Sequence, residues 1–251
     1  FSGKTVVVTG AGSGIGRAIA AGFCSDGARV AGFGRTRGDL EETARLCGAG
    51  RMQFVVGDVT RPHDVERLFS EAIRLFGNVD ILVNNAALYP KLAFLDSPIE
   101  DWVRAIETNV IGMALCCRAV LPGMLERGYG RILNLGSLAW KNPLPNSSAY
   151  SASKGAVRAF TRALAAEIDR SRYPDILINE FLPGIVKTRM SGIGMDPAEV
   201  YPHARFVANL ARGGPTVMTF LQSTLYVENT GLRARLRRFI GGVLGRPVGG
   251  E

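Results

Sequence analysis

The chain is short of the residues that build metal sites and cross-links. It holds four cysteines and two histidines in 251 residues. Cys24, Cys47, Cys116 and Cys117 form no CxxC pair, and His63 and His203 have no ligand-like spacing. No metal site is therefore expected. Cys24, Cys116 and Cys117 fall in apolar helical patterns and read as small core residues, which suits a reducing cytoplasm. No run approaches the roughly 20 apolar residues of a membrane helix. Repeats, linkers and low-complexity segments are also lacking. The chain opens FSGKTVVVTG, with neither a signal-like segment nor an initiator Met. The expectation is a leaderless protein whose first few residues have been lost. Acidic residues are in deficit, 22 against 30 basic, for a net charge of +8. Five arginines and one acid between 231 and 251 supply half of that excess. In this basic tail Leu232, Leu236, Phe239, Ile240, Val243 and Leu244 have helical spacing. Three readings stand: a helix packed on its own domain, which we favour, an extra subunit contact, or an amphipathic contact with an anionic membrane surface. No basic surface interleaved with aromatics is visible, so no nucleic-acid partner is expected.

What is present is an alternation of strand and helix. Apolar β-branched runs at Lys4–Thr9, Arg29–Gly34, Met52–Gly57, Asp80–Asn84, Gly130–Leu135 and Asp175–Phe181 read as strands. Helical patterns lie between them: Gly14–Asp26, Asp39–Cys47, Pro62–Phe76, a long Ile99–Glu126, and Ala149–Arg170. Thr216–Leu221 offers a further strand. Near-continuous apolar strands alternating with helices predict an α/β fold, a doubly wound parallel sheet of about seven strands covered on both faces. One domain over 1–251 is expected.

Three stretches carry chemistry. The first strand runs into TGAGSGIG, residues 9–16. Glycines at a strand-to-helix turn let backbone approach a pyrophosphate, and the helix N-terminus adds N–H donors. The GxGxxG spacing is not met; the fit is TGxxxGxG, with Gly10, Gly14 and Gly16. The second strand ends GFGRTR, so Gly34 stands where an acid would bind ribose hydroxyls. Arg35 and Arg37 follow and could hold a 2′-phosphate, which favours NADP over NAD; two solvated surface charges are the plainer alternative. In AYSASKGAV, Tyr150 and Lys154 are four apart and share a helix face. A cation beside a phenol favours the phenolate and can tune it for acid–base work. From this pair alone, an exposed tyrosine and a solvated lysine reads as well.

Further motifs fall in order around these: Asp58-Val59, NNAA at 84–87, Asn109 in ETNVIG, Ser137 thirteen residues before Tyr150, and PGIVKT at 183–188. Together they resemble the short-chain dehydrogenase/reductase family over roughly residues 3–190. The resemblance implies a Rossmann fold and hydride transfer between a nicotinamide cofactor and a ketone or secondary alcohol. It implies that Tyr150 is the general acid or base, that Lys154 lowers its pKa and bonds the nicotinamide ribose, that Ser137 polarises the substrate oxygen, and that Asn109 holds a water of a proton relay. It places Gly10, Ser13, Gly14, Ile15 and Gly16 at the pyrophosphate, Asp58 and Val59 at adenine, Asn85 and Ala86 at ribose, and Ile185 and Thr188, in the turn opened by Pro183 and Gly184, at the carboxamide.

The sequence departs from the family at LNLGS, where NISS is frequent, and at its end, where VDGG is not seen. The second departure weakens a tetramer; a homodimer or homotetramer is still expected. The substrate should sit at the sheet's C-terminal edge, near Leu88, Tyr89, Leu138, Trp140, Asn146 and Met190, in a largely apolar pocket without a cation cluster. Residues 189–210 read as a lid, with Gly192 and Gly194 as hinges. The expected small-molecule partner is a ketone or secondary alcohol of moderate size. A catalytically silent dinucleotide sensor or scaffold is the competing class, and the intact Asn109, Ser137, Tyr150 and Lys154 argue against it.

Overall fold

The computed structural model describes residues 1–209 and the backbone of two later strands. One sheet of eight strands runs β3-β2-β1-β4-β5-β6-β7-β8. Its strands are β1 Thr5–Thr9, β2 Arg29–Gly34, β3 Met52–Val56, β4 Ile81–Asn84, β5 Gly130–Leu135, β6 Ile176–Leu182, β7 Val217–Leu221 and β8 Thr224–Glu228. The first seven pair in parallel, and β8 adds an antiparallel edge. Six strands and the offered seventh match the sequence reading. The eighth lacks a separate signal, because it follows β7 after only two residues. The basic tail lies outside the described residues.

Residue alternation sorts the core. Val6 and Val8 of β1 point into one cluster, with Ile19, Phe23 and Leu40 of helices α1 (Gly14–Ser25) and α2 (Arg37–Cys47). Val7 points the other way and meets Leu68, Cys116, Val120, Met124 and Val157. Those side chains come from α3 (Pro62–Phe76), α5 (Gly112–Arg127) and α6 (Ser148–Glu167). Each core side chain of this size contributes about 1.5–3 kcal/mol through burial. All four cysteines are buried free thiols.

The long helix is not uniform. It runs as α4 (Ile99–Ile106), a π-helical turn at Glu107–Ile111, and α5. Over 29 residues it is long and apolar enough, by composition, to cross a membrane. This corrects the sequence reading that no such stretch exists. Here, however, the rod lies against the sheet, with Asn109, Met113, Cys116, Cys117, Val120 and Met124 buried.

The strand order reverses between β2 and β4, on either side of β1. Crossovers leave toward opposite faces there, and a crevice opens outside the C-terminal strand ends. Thr9, Asn84, Leu135 and Leu182 end the four strands around it.

Candidate active site

A cleft of about 1130 Å³ occupies this crevice. Its floor is the turn between β1 and α1. Gly10 and Gly14 take φ of 64° and 50°, where other residues are strained. At Gly16 a Cβ would lie 2.1 Å from the Gly10 carbonyl oxygen. Ser13 precedes α1 without a side-chain cap, and no acid stands in the first turn. The first N–H groups thus remain available to an anion. A bare, positively polarised turn of this kind fits the pyrophosphate of a dinucleotide.

Asn85 fastens the turn from behind. Its amide donates to the carbonyls of Thr9 and Gly10 at 3.0 and 3.1 Å, while its backbone N–H donates to the Thr9 hydroxyl at 3.0 Å. Ser13, Gly14, Ile15, Arg35, Asp58, Val59, Asn85, Ala86, Pro183, Gly184, Ile185 and Thr188 all line the cleft. Gly16 lies beneath the turn. Arg37 does not line it: its guanidinium reaches Glu41 at 3.9 Å, one turn along α2, and lies 5.9 Å from the centre of the Phe54 ring. Its partner on α2 holds it there, so of the two arginines only Arg35 lines the cleft.

At the other end, α6 brings Tyr150 and Lys154 to the cleft, one turn apart. Ser137 stands beside Tyr150 and works to lower its pKa, and its hydroxyl accepts from the Ala139 N–H at 3.2 Å. Lys154 is only 4% exposed and donates from Nζ to the Leu135 carbonyl at 2.6 Å. Burial lowers its pKa to about 8, against an opposing pull from Glu180. Burial raises the Tyr150 phenol above its ordinary value, Ser137 works against that rise, and Tyr89 adds to it. The net shift of the tyrosine is therefore upward, against the direction expected from Lys154 alone. Desolvation dominates, and the ammonium is turned to Leu135, 5.6 Å from the centre of the tyrosine ring.

Asn109 also differs from expectation. It sits in the π-helical turn, with its amide committed on both sides. Oδ1 accepts from the Leu88 N–H at 2.7 Å, and Nδ2 donates to the Leu88 carbonyl and the Ser153 hydroxyl at 2.9 and 2.8 Å. The side chain ties the loop after β4 to α6. Single π-turns inside α-helices are frequent at functional sites.

The substrate end is walled by Leu88, Tyr89, Leu138, Met190 and Ile193. Tyr89 stacks on Tyr150, with ring centres 4.4 Å apart. Trp140 and Asn146 do not line the cleft. Trp140 lies under the Arg158 guanidinium at 4.4 Å, and Asn146 takes φ of 62° in the loop before α6. The second half of the expected lid is ordered as a short 3-10 turn, Pro197–Val200, and helix α7, Tyr201–Ala208. The first half is a tight loop, closed by Lys187 and Met195 N–H bonds to the Met195 and Ile185 carbonyls at 2.8 and 3.0 Å.

Sequence reasoning missed a buried pair behind this site. Glu180, in the apolar run ILINEFL, is 0% exposed and pairs with Arg158 at 2.8 Å. A Cβ on Gly136 would lie 2.2 Å from its Oε1. The glycine in LNLGS thus makes room for a buried carboxylate. That unusual glycine was the available signal.

Residues 4–194 match the family model described as short chain dehydrogenase. An uncharacterized oxidoreductase of Staphylococcus saprophyticus is 35% identical over 75% of this chain and 81% of its own length. The 2-(R)-hydroxypropyl-CoM dehydrogenase of Xanthobacter autotrophicus is 37% identical over 78% of this chain and 80% of its own. A variant of actinorhodin polyketide ketoreductase, solved with NADPH, superposes with a TM-score of 0.80 at 30% identity, covering 87% of this chain and 95% of that one. With its ordered motifs, its doubly wound sheet and this match over most of its length, the chain belongs to the short chain dehydrogenase family of oxidoreductases.

Proposed function

We propose that the protein is an NADP(H)-dependent oxidoreductase that interconverts a ketone and a secondary alcohol of moderate size. The observation that carries this reading is the convergence of the Tyr150 phenol, the Ser137 hydroxyl and the buried Lys154 at one end of a cleft floored by a bare glycine turn. Gly10, Ser13, Gly14 and Ile15 would hold the pyrophosphate, Arg35 a 2′-phosphate, and Asp58 with Val59 the adenine. Thr188 and Ile185 would face the carboxamide. When bound, the nicotinamide supplies or accepts the hydride.

The protein supplies the proton and the orientation. Tyr150 Oη gives its proton to the carbonyl oxygen in reduction and takes it back in oxidation. The phenol is protonated at neutral pH, as the acid role requires, while burial makes it a weaker donor that needs a nearby positive charge. Ser137 holds the same oxygen by a hydrogen bond. Lys154, while charged, opposes the cost of a developing phenolate. The names of two relatives, a ketoreductase and a hydroxypropyl-CoM dehydrogenase, support chemistry at a C=O/CH–OH centre. The apolar wall of Leu88, Leu138, Met190 and Ile193 supports an uncharged or weakly polar group beside it. A homo-oligomer and a cytoplasmic setting complete the proposal; the four buried thiols support the latter.

The test follows absorbance loss of NADPH and NADH, separately, against a panel of ketones and aldehydes. Turnover that prefers NADPH is expected. A preference for NADH would overturn the cofactor choice, and no turnover on any carbonyl would overturn the reaction class.

A further inference from the structure

Asp39 is a carboxylate in an awkward place. It lines the cleft between Arg35 and the glycine turn. A Cβ built on Gly12 would lie 2.9 Å from the Asp39 Cβ, so the acid packs directly against the turn assigned to the pyrophosphate. Its presence has a local cause: it stands in the first turn of α2, where a negative charge favours the helix dipole. Beside a bound dinucleotide, however, that charge would face phosphates. The other acid of the cleft, Asp58, differs, because its Oδ1 is occupied by the Thr60 N–H and hydroxyl at 3.0 and 2.9 Å.

Arg189 meets Asp39 from the opposite rim. It follows Thr188, whose methyl would lie 3.0 Å from a Cβ on Gly14, so this segment crosses close over the turn. The two guanidinium nitrogens bond the two carboxylate oxygens at 3.2 and 3.3 Å, across 150 residues of sequence. Two nitrogens on two oxygens is the geometry in which arginine recognises a carboxylate most specifically. The arginine side chain is 74% exposed and that of Asp39 is 24% exposed. An exposed pair of this kind adds little to stability, so fold stability gives no account of why it spans the cleft.

We propose that Arg189 is an anion-neutralising residue of the cofactor cleft: by pairing with Asp39 across the two rims it cancels a carboxylate beside the cofactor's phosphates and lets the cleft accept a polyanion. This rests on the reading of the cleft as a dinucleotide site. The remaining charged groups of the cleft are Arg35, Lys91, Lys154 and Asp58. Of these, Arg35 stands nearest in sequence, and it alone does not offset Asp39 and also bind a 2′-phosphate. The effect should grow with the negative charge of the ligand, and so be larger for NADPH than for NADH.

The test needs no substrate. Dissociation constants of NADPH and NADH are measured by nicotinamide fluorescence for the wild type, Arg189→Ala, Asp39→Asn and the double variant, at low and moderate salt. Arg189→Ala should weaken NADPH about tenfold, the size expected of one uncompensated charge a few ångströms away in partly screened surroundings, and NADH less. Asp39→Asn alone should not weaken either. The double variant should recover most of the loss, because the carboxylate that needed cancelling is gone. The proposal is overturned if Arg189→Ala binds NADPH as the wild type does, or if the double variant is as weak as Arg189→Ala. Thermal melts check folding, and Arg189→Gln replaces the alanine variant if that one melts early. Cofactor choice is read separately, from the wild-type ratio of NADPH to NADH: a wild type preferring NADH would refute the NADP reading while the variant ratios still judge Arg189. Binding of neither would refute both.

Discussion

Lys154 shows how burial sets the chemistry of a single residue. Its ammonium is buried with the Leu135 carbonyl as its bonded partner, and its pKa falls from 10.5 to about 8. The unfolded chain therefore holds that proton longer than the folded one as pH rises. Over the window from about 8 to about 10.5 the unfolded state binds more protons, so this residue's contribution to stability improves with pH, and below about 8 its penalty is in full force. Lys154→Met should accordingly raise the melting temperature at pH 7 by a few degrees while abolishing turnover, and the gain should shrink at pH 10; a lower melting temperature at pH 7 would contradict this. Tyr150 moves the other way, because its charged form is the anion. Alcohol oxidation, which needs the phenolate, should therefore rise from neutral toward alkaline pH, whereas ketone reduction should not; initial rates in both directions across pH check the sign. The pairing of Tyr150 and Lys154 is legible in the sequence from their spacing. The direction of the tyrosine shift is not, because it depends on how deeply the ring is buried and on Tyr89 stacked against it.

At the level of elements, strands with both faces covered are easy to read, since every position is apolar, as in VVV of β1 and ILV of β4. The π-turn at Glu107–Ile111 is not, because one inserted residue leaves the apolar stripe of a long helix nearly intact. Helix α7 is hidden for a different reason: the prolines and glycines before it read as loop, and a capping box at Asp196 and Glu199 starts the ordered turn. The pairing of β5 with β6 conceals the most. Asn134 lies opposite Glu180, and Gly136 donates its N–H to Phe181 at 2.9 Å, so a carboxylate comes up against a glycine that any larger residue would displace. Gly136→Ser should destabilise the protein by about 2–4 kcal/mol, since Glu180 must leave Arg158 or strain the sheet. Urea unfolding measures it; a change below about 0.5 kcal/mol would show that the carboxylate has somewhere else to go.

For the whole molecule, the sheet order places the glycine turn, the Ser137 strand end and the 183–188 turn around one crevice, although the chain between them is long. That much follows from right-handed crossovers in a doubly wound sheet, and so is legible before any coordinates. What spans the crevice is not, because Arg189 and Asp39 are 150 residues apart and neither belongs to a motif. A ligand held by so many separate segments should stabilise the fold as a unit. NADPH at one hundred times its dissociation constant should add about 2.7 kcal/mol and raise the melting temperature, with NADH at equal concentration adding less; equal shifts would argue against a 2′-phosphate site at Arg35. The central claim, that Tyr150 is the proton donor and acceptor of a carbonyl reductase, is tested most directly by Tyr150→Phe. Its NADPH-dependent turnover on the best ketone of the panel should vanish while NADPH binds within about twofold of the wild type. Turnover that survives the loss of the phenol would contradict the claim.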